Sequence, residues 1–387
     1  MTADNHEESA MKEVLIISFS DLKNDPRVFR QIGFFRDRYR LTTIGLNDAQ
    51  LPSVEFIPIQ QQNHAAAARI TRALGNKLGQ FERYYWGLYH FEQPLARLGE
   101  RRFDLIIAND LHALPLAVRV ARGAKIMLDA HEYFPRQFED RWRWNFFSRA
   151  FINYLCRTYL PHCDRMITVS AGIADEYRKD FNVRAQVITN SCEYHDLQPA
   201  AASAPGPIRL IHHGNAIPSR RLEVMIELMK RSAADLTLDL MLMPVVPGYY
   251  RKLRKAAADN RRIQFIPPVP MAQIVPFLNR YDVGLCIYKP TSFNLLHSLP
   301  NKFFEFIQAR LAVFSGPSPE MARIIRQHDL GVVAEDFSLA ALQRALAGLN
   351  RKGIDHFKNQ AHQAARELSS AANRQKLLAL ARELIGD

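Results

Sequence analysis

The chain has 387 residues, 48% hydrophobic and 23% charged, the proportions of a folded protein and not of a disordered one. At this length two domains are expected, and no apolar run approaches the ~20 residues that cross a bilayer. The net charge of +12 is uneven: residues 1–199 carry 26 Lys and Arg against 24 Asp and Glu, residues 200–387 carry 25 against 15. A basic second half attracts anions such as nucleotide phosphates, nucleic acid or acidic lipid heads, or simply keeps the surface soluble.

The opening MTADNHEESAMKE is polar and acidic and lacks the apolar core of a signal peptide, so a cytoplasmic protein is expected. Seven apolar runs follow in the first half: 13–19, 40–46, 54–59, 103–109, 124–130, 164–170 and 185–190. After the first comes SFSDLKNDPRVFRQIGFF (18–35), where Asp25 as N-cap and Pro26 at the first helical position predict a helix start. Arg27 then sits in the first turn, available to an acidic ligand, or the segment is a capped helix and nothing more.

The runs at 103–109 and 124–130 lead into IIANDLHALPLA and IMLDAHEYFPRQ, which bring Asp110, His112, His131 and Glu132 to one rim of the predicted sheet. A histidine there can bond a sugar hydroxyl or steady charge at a reacting carbon, or serve only as a structural hydrogen-bonder. Residues 134–160 then interleave five arginines with nine aromatic side chains, and RYYWGLYHF (83–91) has a similar flavour. Such compositions suit a membrane interface, or rings that pack inward.

QPAAASAPGP (198–207) reads as a linker. Beyond it lie six more apolar runs, at 208–214, 236–243, 262–266, 281–287, 311–316 and 330–334. Near-continuous apolar strands alternating with helix-length segments predict parallel sheets covered on both faces. The expected architecture is therefore α/β: two doubly wound Rossmann-like domains, residues 1–200 and 201–387, facing across a cleft. Ligands of such sheets bind beyond the carboxyl ends of the strands.

In the second half HHGNAIPSRRLEVMIELMK (212–230) ends its strand at His213 and Gly214, and Arg220 or Arg221 is expected to open an amphipathic helix. SLPNKFFEF (298–306) predicts another helix start, with Ser298 as N-cap and Pro300 in the first turn. Free amides and the dipole favour an anion there, and Lys302 adds a full charge. Glu305, three residues on, can accept from the two hydroxyls of a ribose, or it forms an exposed ion pair with Lys302. There is no GxGxxG after a strand, no GxxxxGK[ST] and no DxD pair, so dinucleotide, P-loop and metal-held diphosphate readings lose support. The four cysteines (Cys156, Cys163, Cys192 and Cys286) have no disulfide or zinc spacing and are expected to be buried thiols.

Taken in order, SD…NDPRVFRQ, NDLHALPLA, DAHEYFP, HHGN…SRRLEVMIE and LPNKFFEF…SGPSPEM resemble the GT-B glycosyltransferases, in particular the retaining family numbered four. The resemblance implies an acceptor-binding first domain, a nucleotide-sugar-binding second domain and a terminal helix that returns to the first. It implies that Gly214, Arg220, Lys302, Pro300, Asn301, Ser315 and Gly316 hold the donor, with Glu305 on the ribose. His131 and Asp110 would act beside the transferred sugar, and Asp25, Arg27, His112 and Glu132 on the acceptor side. His297 stands where the family often has the first of two glutamates, and Asp21 to Arg27 replaces a Gly-Gly pair. The implied reaction moves a sugar, with retention and without a metal, from a UDP- or GDP-sugar to a lipid-linked or polysaccharide acceptor. No further cofactor and no nucleic acid are expected, and the place of action is the cytoplasm, including the inner face of a membrane. A sugar-nucleotide 2-epimerase of the same fold, or a non-catalytic partner that kept it, stays open at this point.

Overall fold

The computed structural model describes residues 11–62, 75–201, 206–232 and 235–387. Within these, the first sheet has seven parallel strands: β1 Glu13–Ser18, β2 Arg40–Gly45, β3 Val54–Pro58, β4 Leu105–Asn109, β5 Lys125–Ala130, β6 Arg165–Thr168 and β7 Ala185–Val187, in the order β3-β2-β1-β4-β5-β6-β7. The second has six: β8 Ile208–Asn215, β9 Leu236–Met243, β10 Ile263–Ile266, β11 Val283–Cys286, β12 Ala312–Ser315 and β13 Gly331–Val333, in the order β10-β9-β8-β11-β12-β13. Every apolar run read from the sequence became a strand. Each order reverses direction once, between β1 and β4 and between β8 and β11, and such a reversal leaves a crevice at the strands' carboxyl ends.

Burial follows the strand period of two. Leu210 of β8 packs with Leu238 and Leu285 on one face of the second sheet, and its neighbour Ile211 packs with Phe303, Phe306 and Val313 on the other. In the first sheet Val14, Ile16, Leu105 and Ile107 pack against Val28, Ile32 and Phe35 of the helix Pro26–Arg36.

The chain divides into two compact units. One comprises residues 1–169, 173–188 and 374–387, the other residues 170–172 and 189–373. The change therefore falls at Ile188, ahead of the proline-rich stretch, of which residues 202–205 lie outside the described ones. The predicted long terminal helix is two helices, Arg351–Ala364 and Ser370–Ile385. Leu377, Leu378, Leu380 and Ala381 of the second pack into the core of the first unit.

Two local expectations are corrected. The helix Asn301–Gln308 is capped by Pro300, with no side-chain bond to its amides, while the Ser298 hydroxyl donates back to the Leu295 carbonyl at 2.9 Å. Ser292 caps a preceding short helix, Phe293–Leu296, and that helix claims Ser298 for its own last turn. Likewise Arg220 ends a single 3-10 turn, Pro218–Arg220, and Arg221 is left-handed (φ 49°), so the helix begins only at Glu223. All four cysteines are free, Cys156 and Cys286 buried and the other two partly so.

Candidate functional site: two strand-end clusters

In the second unit the strands on either side of the reversal supply the site. His212, His213 and Gly214 end β8, and Tyr288 follows β11. Lys302, in the first turn of the helix Asn301–Gln308, donates to the His213 carbonyl. Its Nζ lies 5.5 Å from the centre of the Tyr288 ring, and the Arg220 guanidinium lies 5.1 Å from the same ring. Among the described residues no carboxylate pairs with either cation. Burial first, and then Arg220, lower the Lys302 pKa to about 8.

Burial lowers the pKa of both histidines. His212 donates from Nδ1 to the Leu285 carbonyl at 2.8 Å, which turns the lone pair of Nε2 toward Lys302 Nζ, 3.5 Å away. Burial, and then Lys302, keep its pKa well below the ordinary histidine range. Burial also lowers that of His213, although Glu305 opposes it, and its Nε2 sits 3.2 Å from the Glu305 carboxylate. Gly214 has φ 122°, and a Cβ there would stand 2.6 Å from Lys302 Nζ. Only glycine lets the lysine close over this strand end.

Three other expected donor residues have partners of their own. The buried Ser315 hydroxyl lies 2.8 Å from the Gly316 carbonyl and 3.2 Å from that of Cys286. Any side chain at Gly316 would collide with the Phe337 ring. His297 packs at a tilt against Phe293, ring centres 4.5 Å apart, and places Nδ1 3.4 Å from Glu320. Glu320, the last residue of the Gly316–Glu320 segment that resembles the family's loop near the donor sugar, is buried and accepts the amides of Gly172 (2.7 Å) and Ala171 (3.3 Å). Burial pushes its carboxyl up, but His297, these amides and Arg323 outweigh that, and the net shift is downward. Tyr288 and His212 are thus residues of this cluster that sequence reasoning missed. Their signal was position alone: each lies within a few residues of a strand end.

In the first unit the same kind of strand end is closed by internal charge. Arg27 donates to Asp129 from Nε (3.0 and 3.1 Å) and Nη2 (2.6 Å), and to the Ile188 carbonyl from Nη1 (2.8 Å). Gln31 donates to Asp129 at 3.1 Å and accepts from Asn109 at 2.8 Å. Arg27, read as free for a ligand, is therefore part of a buried network. Asp25 caps its helix through the amides of Arg27 and Val28, as expected, which occupies the carboxylate. The His112 ring lies among Phe134 and Phe151, and burial lowers its pKa despite Asp110. Asp25, Arg27 and His112 are thus each engaged within the fold, by the helix amides, by Asp129 and by neighbouring rings. Glu132 gives its backbone carbonyl to Tyr177.

Asp110 and His131 come together. The Asp110 carboxylate accepts the His131 amide at 3.1 Å and lies 3.5 Å from Nδ1 of its ring. The buried Nε2 of His131 has no hydrogen-bond partner and is 3.9 Å from Asp129. Asp110 holds φ 67°, ψ 157°, a strained backbone for a residue with a side chain. Backbone strain and an orphaned ring nitrogen thus occur side by side at these two strand ends.

No curated protein matches the chain. The model of Glycosyltransferase Family 4 matches residues 53–192. Among solved structures, a sucrose-phosphate synthase from Thermosynechococcus elongatus superposes with a TM-score of 0.72 at 11% identity, covering 97% of this chain and 99% of that one. WaaG, a glycosyltransferase involved in lipopolysaccharide biosynthesis, gives 0.65 at 12% identity, covering 97% and 100%. Anabaena Alr3699/HepE, in complex with UDP and glucose, gives 0.66 at 14% identity, covering 96% and 99%. The fold is therefore that of the GT-B glycosyltransferases, and residues 53–192 resemble Glycosyltransferase Family 4.

Proposed function

We propose that the chain transfers a hexose from a UDP- or GDP-sugar to a lipid-linked or polysaccharide acceptor, with retention and without a metal ion. One observation carries this reading: Lys302 and Arg220 lie over one tyrosine ring beside a helix start whose amides have no side-chain cap, and no described carboxylate pairs with them. Partly buried cations without an internal counter-charge are unfavourable until an anion arrives. A diphosphate satisfies both cations and the first-turn amides at once. The same groups then stabilise the charge that grows on the leaving diphosphate, the task a divalent ion would otherwise perform.

Glu305, steadied by His213, is assigned to the ribose hydroxyls. His131, oriented by Asp110, is assigned to the transferred sugar. Retention rests on the likeness to family four. The bond from the anomeric carbon to the diphosphate breaks on the face where the acceptor oxygen bonds, and the acceptor proton passes to the leaving phosphate. UDP in the Anabaena structure supports a uridine donor, and the role of WaaG supports a lipid-linked acceptor.

The test is nucleotide release from a panel of UDP- and GDP-sugars, with lipid-linked and glycan acceptors, in the presence of a chelator. Release from one donor, dependent on an acceptor, is the expected result. Donor binding without turnover across the whole panel contradicts it.

A further inference from the structure

We infer that the face formed by the helix Trp142–Phe147 and the adjoining Lys77–Leu78 segment docks on an anionic lipid bilayer. This goes beyond the donor chemistry and does not depend on it.

The helix buries none of its six residues. Trp142 is 70% exposed, Phe146 59% and Phe147 44%, and next to them Phe138 is 37% and Leu78 77% exposed. Aromatic side chains of this size are ordinarily buried, and apolar clusters left in water mark contact surfaces. The patch is one surface. Lys77 donates to the Phe146 carbonyl and lies 3.1 Å above its ring, and Asn76 donates to the Phe147 carbonyl at 2.6 Å.

Charge names the occupant. Arg141 lies over Phe138 at 4.8 Å and Arg143 over Trp142 at 5.4 Å, while Lys77 covers Phe146. With Arg149 these make four exposed cations. Among the described residues none of them pairs with a carboxylate; Glu139 is bound to Arg136, and Asp140 is the one acid beside them in the sequence. Rings ringed by arginine and lysine match the boundary between acyl chains and anionic headgroups. A second copy would set the same cations against each other, which opposes self-association. Among the described residues no helix is long and apolar enough to span, so the contact lies on the surface of the bilayer. The other aromatic stretch, 83–91, behaves differently: Tyr85 and Phe91 are buried and stack on each other at 5.2 Å.

The experiment is co-sedimentation of the full chain with vesicles of phosphatidylcholine alone or mixed with phosphatidylglycerol. The wild type should partition onto the anionic vesicles at low salt and be released by roughly 0.5 M salt. The variant Trp142→Ser/Phe146→Ser/Phe147→Ser should lose about tenfold or more of that partitioning, with an unchanged circular dichroism spectrum and unchanged UDP response. The proposal is overturned if the wild type ignores anionic vesicles at low salt, or if the folded variant binds them as well. It is equally overturned if the patch instead supports a dimer that the triple variant abolishes.

Discussion

Arg27 and Arg220 occupy corresponding places, each following the first central strand of its sheet, yet they have opposite fates. Arg27 meets Asp129, whose side chain is 2% exposed, through three short nitrogen–oxygen contacts. Arg220 meets only the face of Tyr288, with Lys302 beside it. The first arginine belongs to the fold, since its counter-charge is built in. The second has no such built-in carboxylate, which is why the proposed function gives it to a ligand. The pairing of a cation with a carboxylate, and not its position in the motif, separates structure from function.

Four substitutions or conditions press on this difference. The largest effect is expected from Arg27→Ala, which strands the buried Asp129 carboxylate and should cost about 3–5 kcal/mol of stability by urea unfolding. UDP or GDP should still stabilise the fraction that folds. Lys302→Ala should do the reverse. It should weaken diphosphate binding by about 10- to 100-fold, the worth of one charge-assisted hydrogen bond at 1.5–3 kcal/mol, and leave the melting temperature of the free protein unchanged or slightly raised. If Lys302→Ala destabilised the free protein as much as Arg27→Ala, the two sites would not differ in kind.

Gly214→Ala forces a side chain into positive φ and against Lys302, so about 1–2 kcal/mol should be lost from diphosphate binding, read by the same titration. The smallest effect is that of pH. The protonated lysine is the binding form, so affinity should be full below the Lys302 pKa of about 8 and fall as pH rises through it, by at most roughly tenfold up to pH 9. The stability of the free protein has the opposite sign. Between about 8 and the ordinary lysine value of 10.5 the unfolded chain holds the proton more tightly, so stability should rise with pH. Removal of Arg220 should raise the Lys302 pKa and move the fall in affinity to higher pH.

Much of this was legible in the sequence because it is local. Alternating apolar runs set the strands, Asp25-Pro26 set a helix start, and Gly214, Lys302 and Glu305 followed from their place after strands. What escaped was long-range. Asp129 lies 102 positions from Arg27, and no motif near either one announces the pair. Gly172 meets Glu320 across 148 positions. The Ser298 cap was lost to competition, since the short helix capped by Ser292 takes that hydroxyl first. The aromatic stretches differ in burial for the same reason: whether a ring faces the core depends on partners elsewhere in the chain.

The central claim is that Lys302 and Arg220 together hold a pyrophosphate. It is met most directly by isothermal titration of UDP and GDP into the wild type, Lys302→Ala and Arg220→Ala, all in chelator. Binding of at least one nucleotide to the wild type, weakened about tenfold or more in each variant, is the predicted result. Equal affinity in all three proteins, or binding that needs an added divalent ion, would contradict it.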